Sequence, residues 1–165
     1  MQSYAVHGKS GENKYDNVRL GLNSRLDTIQ SAILKVKFKA FQEYELDAVN
    51  QVAEWYDNAL KDSGLVLPSR PEEYYSSWAQ YTIQLPANVN RVALQTTLKS
   101  QGIPTMVYYA KPMHQQGAFS NTRSAKANTP VTERLCRTVI SLPMHPYLKK
   151  ETVENVVCAR LRKLI

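Results

Sequence analysis

The chain has 165 residues, 43% hydrophobic and 21% charged, which is enough for one ordinary domain with a real core and too little for two large ones. That balance excludes an intrinsically disordered chain, and the lack of any run of about eighteen apolar residues excludes a transmembrane helix. The formal net charge is +7, yet the basic residues are dispersed, with Lys35, Lys37 and Lys39 in one region and Arg160, Arg162 and Lys163 in another. They outline no single groove, so the expectation is a solvated surface, with neither nucleic acid nor membrane as partner.

Residues Met1 to His7 carry neither the basic flank nor the apolar core of a secretory signal, which predicts a cytoplasmic location. Gly8-Lys9-Ser10-Gly11-Glu12-Asn13-Lys14 reads as an exposed loop whose glycines do not fit a phosphate-binding pattern. Residues 1–22 are accordingly expected to be an extended linker, and residues 23–165 a small domain. Ser24 is a good N-cap, with Asp27 three positions on able to reach back to it, so a helix is predicted to start there. Leu26, Ile29, Ile33, Val36 and Ala40 recur at steps of three and four, the pattern of a helix with one buried stripe. Phe41, Tyr44, Ala48, Val52, Trp55, Tyr56 and Ala59 continue the pattern with a shift of phase near Ala40. The helical region therefore runs to about Asp62 as one helix or as two with a bend, and Gly64 closes it.

Beyond Leu65-Val66-Leu67-Pro68, a short extended piece, a polar loop leads to Ala79–Leu85, where apolar residues alternate with Gln80, Thr82 and Gln84 as in a strand with one buried face. Asn90 can cap a helix through Val92, Leu94 and Leu98 that Gly102 stops. Thr105–Tyr109, between Pro104 and Pro112, reads as an edge strand. Gln115–Asn128 reads as a mobile loop. Thr129-Pro130 opens a helix with Val131, Leu135 and Val139 on its buried side, Ser141–Met144 is a third short strand, and a last amphipathic helix holds Val153, Val156, Val157 and Leu161. A long helix followed by strands alternating with helices implies an α/β (α+β) small domain, with a three-stranded sheet covered by helices on one face. Cys136 and Cys158 fall at apolar-face spacing and read as small buried hydrophobes. No Cys, His and carboxylate cluster has metal-ligand spacing.

Asn23 and Arg25 flank the predicted helix start, a place that suits a phosphate. The alternatives there are a turn asparagine and a solvated arginine.

Three strings, "GLNSRLDTIQSAIL", "VYYAKPMHQQGAF" and "SLPMHPYLKKETVENVV", resemble in order and spacing the C-terminal part of the DegT/StrS-type sugar aminotransferases, over about His7 to Leu164. The resemblance implies a mostly antiparallel sheet behind a long N-terminal helix, as in the C-terminal domain of fold type I pyridoxal-phosphate enzymes. It implies pyridoxal 5'-phosphate as cofactor, a nucleotide-linked keto-sugar and an amino-acid donor such as glutamate as substrates, a homodimer, and a role in cell-surface polysaccharide or amino-sugar biosynthesis. In that family the cofactor forms a Schiff base with a lysine of the larger N-terminal domain. No motif here matches that lysine, so this chain alone is expected to be inactive and to contain no catalytic residue. Asn23, in the pattern G-x-N-x-R, would donate to the cofactor phosphate in the neighbouring subunit, and Arg25 would sit at the same shared site. Tyr108, Tyr109 and His114 match residues that line the sugar-nucleotide pocket, although adjacent strand residues face opposite ways and at most one tyrosine would point inward from a strand. Ala110 stands where the family commonly has proline, which implies a less rigid loop. Lys149 replaces the usual capping Thr or Ser, which implies a frayed start to the last helix. A sugar dehydratase of the same family and a non-catalytic basic binding module are the competing functions.

Overall fold

In the computed structural model, which describes residues 2–11 and 16–165, the chain forms two units, Met1–Glu43 and Tyr44–Ile165. Glu12, Asn13 and Lys14 of the predicted loop lie outside the described residues.

The first unit is built on backbone pairing that composition does not reveal. After α1 (Gln2–Ala5), the amides of His7 and Val18 donate to the carbonyls of Leu22 and Gly8 at 2.9 and 3.0 Å, and the Leu22 and Ser24 amides donate to Tyr4 and Ala5 at 2.7 and 2.9 Å. The predicted boundary between residues 22 and 23 thus lies inside a paired structure, where Val6 bridges Asn23. Two glycines permit the approach. A Cβ on Gly8, which has φ +78°, would lie 1.8 Å from the Arg19 carbonyl oxygen, and one on Gly21 would lie 2.3 Å from the Gly8 nitrogen.

α2 spans Thr28–Ala40, and its N-cap is Asp27, whose carboxylate accepts from the Ile29 and Gln30 amides at 2.8 and 3.1 Å. The prediction of Ser24 as the cap is corrected: its amide is committed to Ala5, which holds residue 24 in the paired segment and delays the helix by three positions. The buried stripe is corrected as well. α2 has no buried residue, and Leu26, Ile29, Ile33 and Val36 are all more than half exposed. A single helix joined to one paired loop has no second layer to bury its apolar side against. The phase shift near Ala40 has a local cause, a π-helical turn over Phe41–Glu45 that adds a residue to the helical repeat.

In the second unit α3 (Leu46–Leu60) turns Val49, Val52, Ala53, Tyr56 and Leu60 inward. β1 (Tyr81–Gln84) and β2 (Val139–Leu142) pair antiparallel, with Tyr81 opposite Leu142 and Ile83 opposite Ile140. Those four residues face α3, a π-helical turn over Thr152–Cys158 and α6 (Ala159–Leu164), and together these make the core. The Tyr56 and Tyr81 rings stack at 4.7 Å. The Tyr81 hydroxyl donates to Asp57 at 2.5 Å, and the Tyr56 hydroxyl donates to the Pro143 carbonyl at 2.8 Å, so neither buried phenol is left unsatisfied. The second π turn also moves the last helix's buried face: Val157 and Cys158 are buried and Val156 is 41% exposed, where an unbroken 3.6-residue period had placed Val156 inside.

Among the described residues the sheet has two strands, β1 and β2, where three were expected. Thr105–Tyr109 contributes one bridge, Met106 with Ser141, and Val66 makes another with Gln84 on the other edge. Proline at 104 cannot donate to the ladder, and Tyr108 and Tyr109 already lie in a turn. α4 (Arg91–Ser100) starts as predicted, with the Asn90 side chain accepting from the Ala93 amide at 3.1 Å.

Candidate functional site

Period-two alternation gives the sheet a second face. Thr82 and Ser141, opposite each other, share a hydroxyl hydrogen bond of 2.7 Å, and Gln84 lies opposite Val139. α5 (Pro130–Thr138) precedes β2, with proline at its first turn, where a missing amide costs nothing. Its C-terminal end is held by Arg91, whose guanidinium donates to the carbonyls of Cys136 and Val139 at 2.5 and 3.1 Å, a cation on the negative end of a helix.

Between this face, α5 and the segment from Tyr108 to Phe119 lies a cavity of about 700 Å³, within the usual range for a small-molecule pocket. Thr82, Val139, Thr132, Leu135 and Cys136 line it from the sheet and α5, and Tyr108, Tyr109, Lys111, Met113, Gln116 and Phe119 from the segment. Both tyrosines face it, because residues 108–109 form a turn rather than a strand; their rings meet edge to face, 6.1 Å apart at 83°. An apolar bed with two phenol hydroxyls, one amide and one ammonium suits a flat ring attached to an anionic group.

The Gln115–Asn128 stretch, predicted as a mobile loop, is three successive 3-10 turns, Met113–Gln115, Gly117–Phe119 and Arg123–Lys126. Ser120 and Thr122 hydroxyls donate to the Gly117 and Phe119 carbonyls at 2.9 and 2.7 Å. These Ser and Thr positions, which read as loop composition, are local turn chemistry. Phe119 and Met113 carry no spacing signal in the sequence beyond being large apolar residues inside a polar stretch, and Leu135, expected on the buried side of its helix, lines the cavity instead.

His114 is not among the cavity-lining residues. Its Nε2 lies 3.5 Å from a Glu133 carboxylate oxygen and its Nδ1 lies 3.5 Å from the Thr129 hydroxyl. Asn23 and Arg25 belong to the first unit, are exposed, and make no side-chain hydrogen bond or ion pair among the described residues. Since Asp27 occupies the Ile29 and Gln30 amides, an anion near α2 would be met by these two side chains and not by the helix's first free amides. Among the described residues no group of three His, Cys, Asp or Glu side chains could hold a metal, and no helix is long and apolar enough to cross a membrane.

A second, more polar cavity of about 570 Å³ lies between α3 and residues 68–78. Its polar groups are largely committed to one another: Arg70 pairs with Asp57 at 2.9 Å, and the Asn50 carboxamide donates to the Leu46 and Ser76 carbonyls and accepts from the Trp78 indole at 3.0 Å. This network secures the segment before β1.

The model of the DegT/DnrJ/EryC1/StrS aminotransferase family matches residues 1–161. The UDP-2-acetamido-2-deoxy-3-oxo-D-glucuronate aminotransferase of Pseudomonas aeruginosa is 38% identical over 161 residues, which cover 98% of this chain and 42% of that protein. The UDP-N-acetyl-3-dehydro-alpha-D-glucosamine 3-aminotransferase of Acidithiobacillus ferrooxidans is 38% identical over 150 residues, covering 91% of this chain and 39% of its own length. The crystal structure of a DegT DnrJ EryC1 StrS aminotransferase from Brucella abortus superposes with a TM-score of 0.85 at 42% identity, over 98% of this chain and 42% of that one. The chain thus spans about two fifths of the length of the relatives it matches.

Proposed function

Because the chain belongs to the DegT/DnrJ/EryC1/StrS aminotransferase family, we propose that it is the C-terminal part of a transaminase that moves an amino group from an amino-acid donor, glutamate in the simplest case, to the carbonyl of a nucleotide-linked keto-sugar. The observation that carries this reading is that nearly the whole chain aligns at 38% identity with aminotransferases named for UDP-linked keto-sugars. A product of that kind would serve cell-surface polysaccharide or amino-sugar biosynthesis.

The family is pyridoxal-phosphate dependent, and the cofactor, when bound, supplies the electron-accepting ring that carries the amino group. The donor set of this chain fits the cofactor's phosphate: Asn23 offers an amide N–H₂ and Arg25 a planar guanidinium, both exposed and neither engaged by another side chain. In a homodimer these two groups would reach the cofactor of the neighbouring copy. The backbone pairing of residues 4–8 with 18–24 would hold Asn23 in place for that contact, which gives Gly21 of the G-x-N-x-R pattern a physical role. On the second unit, Tyr108 and Tyr109 would take the flat base of the nucleotide against their rings, and Lys111 would attract its phosphates. Excluding water from this apolar pocket would strengthen those polar contacts.

The test is made on the complete enzyme of which this segment is a part, given a UDP-linked keto-sugar and glutamate. The expected result is formation of the amino-sugar, with R25A weakening retention of pyridoxal phosphate by about tenfold or more. Loss of a sugar hydroxyl in place of amination would assign the dehydratase function instead, and unchanged cofactor retention in both N23A and R25A would remove the phosphate role.

A further inference from the structure

The segment that forms one side of the tyrosine-lined cavity has little to hold it. All backbone hydrogen bonds from the amides of residues 115–127 among the described residues return to a carbonyl three positions earlier, so they shape the turns without tying them to the rest of the fold. The Gln116 side chain is likewise local, donating to the Lys111 carbonyl at 3.3 Å. Among the described residues the polar contacts joining this segment to another element are those of His114. Its side chain is 10% exposed; Nε2 lies 3.5 Å from Glu133, and Nδ1 lies 3.5 Å from the hydroxyl of Thr129. Thr129 immediately precedes α5 and Glu133 lies in its first turn. The same helix supplies Thr132, Leu135 and Cys136 to the cavity, while Met113 and Phe119 enter it from the segment.

We infer that His114 is a positioning residue, a cross-tie that fixes the 113–126 segment to the start of α5 and so sets the width of the pocket. A neutral imidazole can do this with both nitrogens in use, Nε2–H donating to the Glu133 carboxylate and Nδ1 accepting from the Thr129 hydroxyl. A side chain committed in this way acts on a ligand through Met113 and Phe119 and does not touch it. The relevance to nucleotide binding rests on the function proposed above; the tie itself does not.

Cys136 reports on the tie. It lines the cavity at 9% exposure, while Cys158, at 0%, is closed within the core and serves as an internal check on folding. The rate of iodoacetamide labelling of Cys136 is read by mass spectrometry in the full chain, for the wild type and for H114L, H114Q and E133A. Leucine fills the space without polar atoms, and glutamine keeps a donor for Glu133. The expected result is labelling about fivefold faster in H114L and in E133A, as for the loss of one hydrogen bond in a locally opening segment. H114Q should stay close to wild type, and the H114L/E133A double variant should be no faster than either single one. Wild-type rates in H114L, equal rates in H114Q and H114L, or multiplying effects in the double variant would each overturn the tie. If H114L exposes Cys158, the fold itself has opened and E133A decides: acceleration there supports the tie and a wild-type rate overturns it. UDP added to the wild type separates the two proposals, because a failure to slow Cys136 labelling counts against the pocket as a nucleotide site while leaving the variant rates to judge the tie.

Discussion

Replacing Cys158 by alanine should change how the fold responds to alkali, and the size of the change follows from burial. Cys158 is closed in the core, and desolvation pushes its thiol up from 9.0 to about 12, with Arg162 pulling it down and Glu154 adding to the rise. Between those values the folded chain keeps a proton that the unfolded chain releases. The group therefore contributes its full stability below about pH 9, and that contribution falls by about 1.4 kcal/mol per pH unit as pH rises toward 12. Tyr56 and Tyr81 are raised above 10.0 chiefly by the same burial, with Asp57 adding to the rise at Tyr81, so their losses join only above about pH 10. From about pH 8 to pH 10 the thiol accounts for about 1 kcal/mol. C158A costs stability at every pH through the cavity it leaves, but it lacks this titration, so the gap between it and wild type should narrow by about that amount over the interval. Urea midpoints at pH 8, 9 and 10 measure it. A gap constant across the three, within ordinary extrapolation error, would refute the reasoning.

Y109A should weaken UDP binding by about tenfold, measured by calorimetry, because a ring stacked on a base is worth on the order of 1–3 kcal/mol. G21A should accelerate amide exchange at His7, Leu22 and Ser24, since its Cβ would collide with the Gly8 nitrogen and force the paired segments apart; unchanged protection there would show that the pairing does not depend on close approach. D27A should cost α2 about 1 kcal/mol and expose the Ile29 and Gln30 amides to exchange, whereas S24A should leave both as they are. Y81F should lower stability by about 1–2 kcal/mol, because it removes the hydroxyl that donates to Asp57 while leaving the stacked ring in place.

Much of the second unit was legible in local chemistry. The alternation around Tyr81 and Ile83, the Asn90 cap and the proline that opens α5 are each decided by residues within a few positions. The site residues were harder to assign. Whether Tyr108 and Tyr109 face the same way depends on whether Met106 to Tyr109 completes a strand, and the ladder stops after one bridge. The partner of His114 lies 19 positions away on a helix, a distance that spacing does not encode.

Local chemistry thus sets the period and punctuation of most elements, because caps, prolines and alternating faces act over one or two turns. Three things were decided only in three dimensions: the start of α2, whose cap moved to Asp27 once Ser24 was paired with Ala5; the exchange of Val156 for Cys158 on the buried face of the last helix at a π turn; and the cavity between sheet, α5 and the 3-10 segment. The first depends on which distant backbone groups are free to pair, the second on the intrahelical hydrogen-bond pattern, and the third on which side chains from separate elements come together. Hydrogen bonds and burial are exclusive, so one long-range partner displaces the local choice that the sequence would otherwise favour.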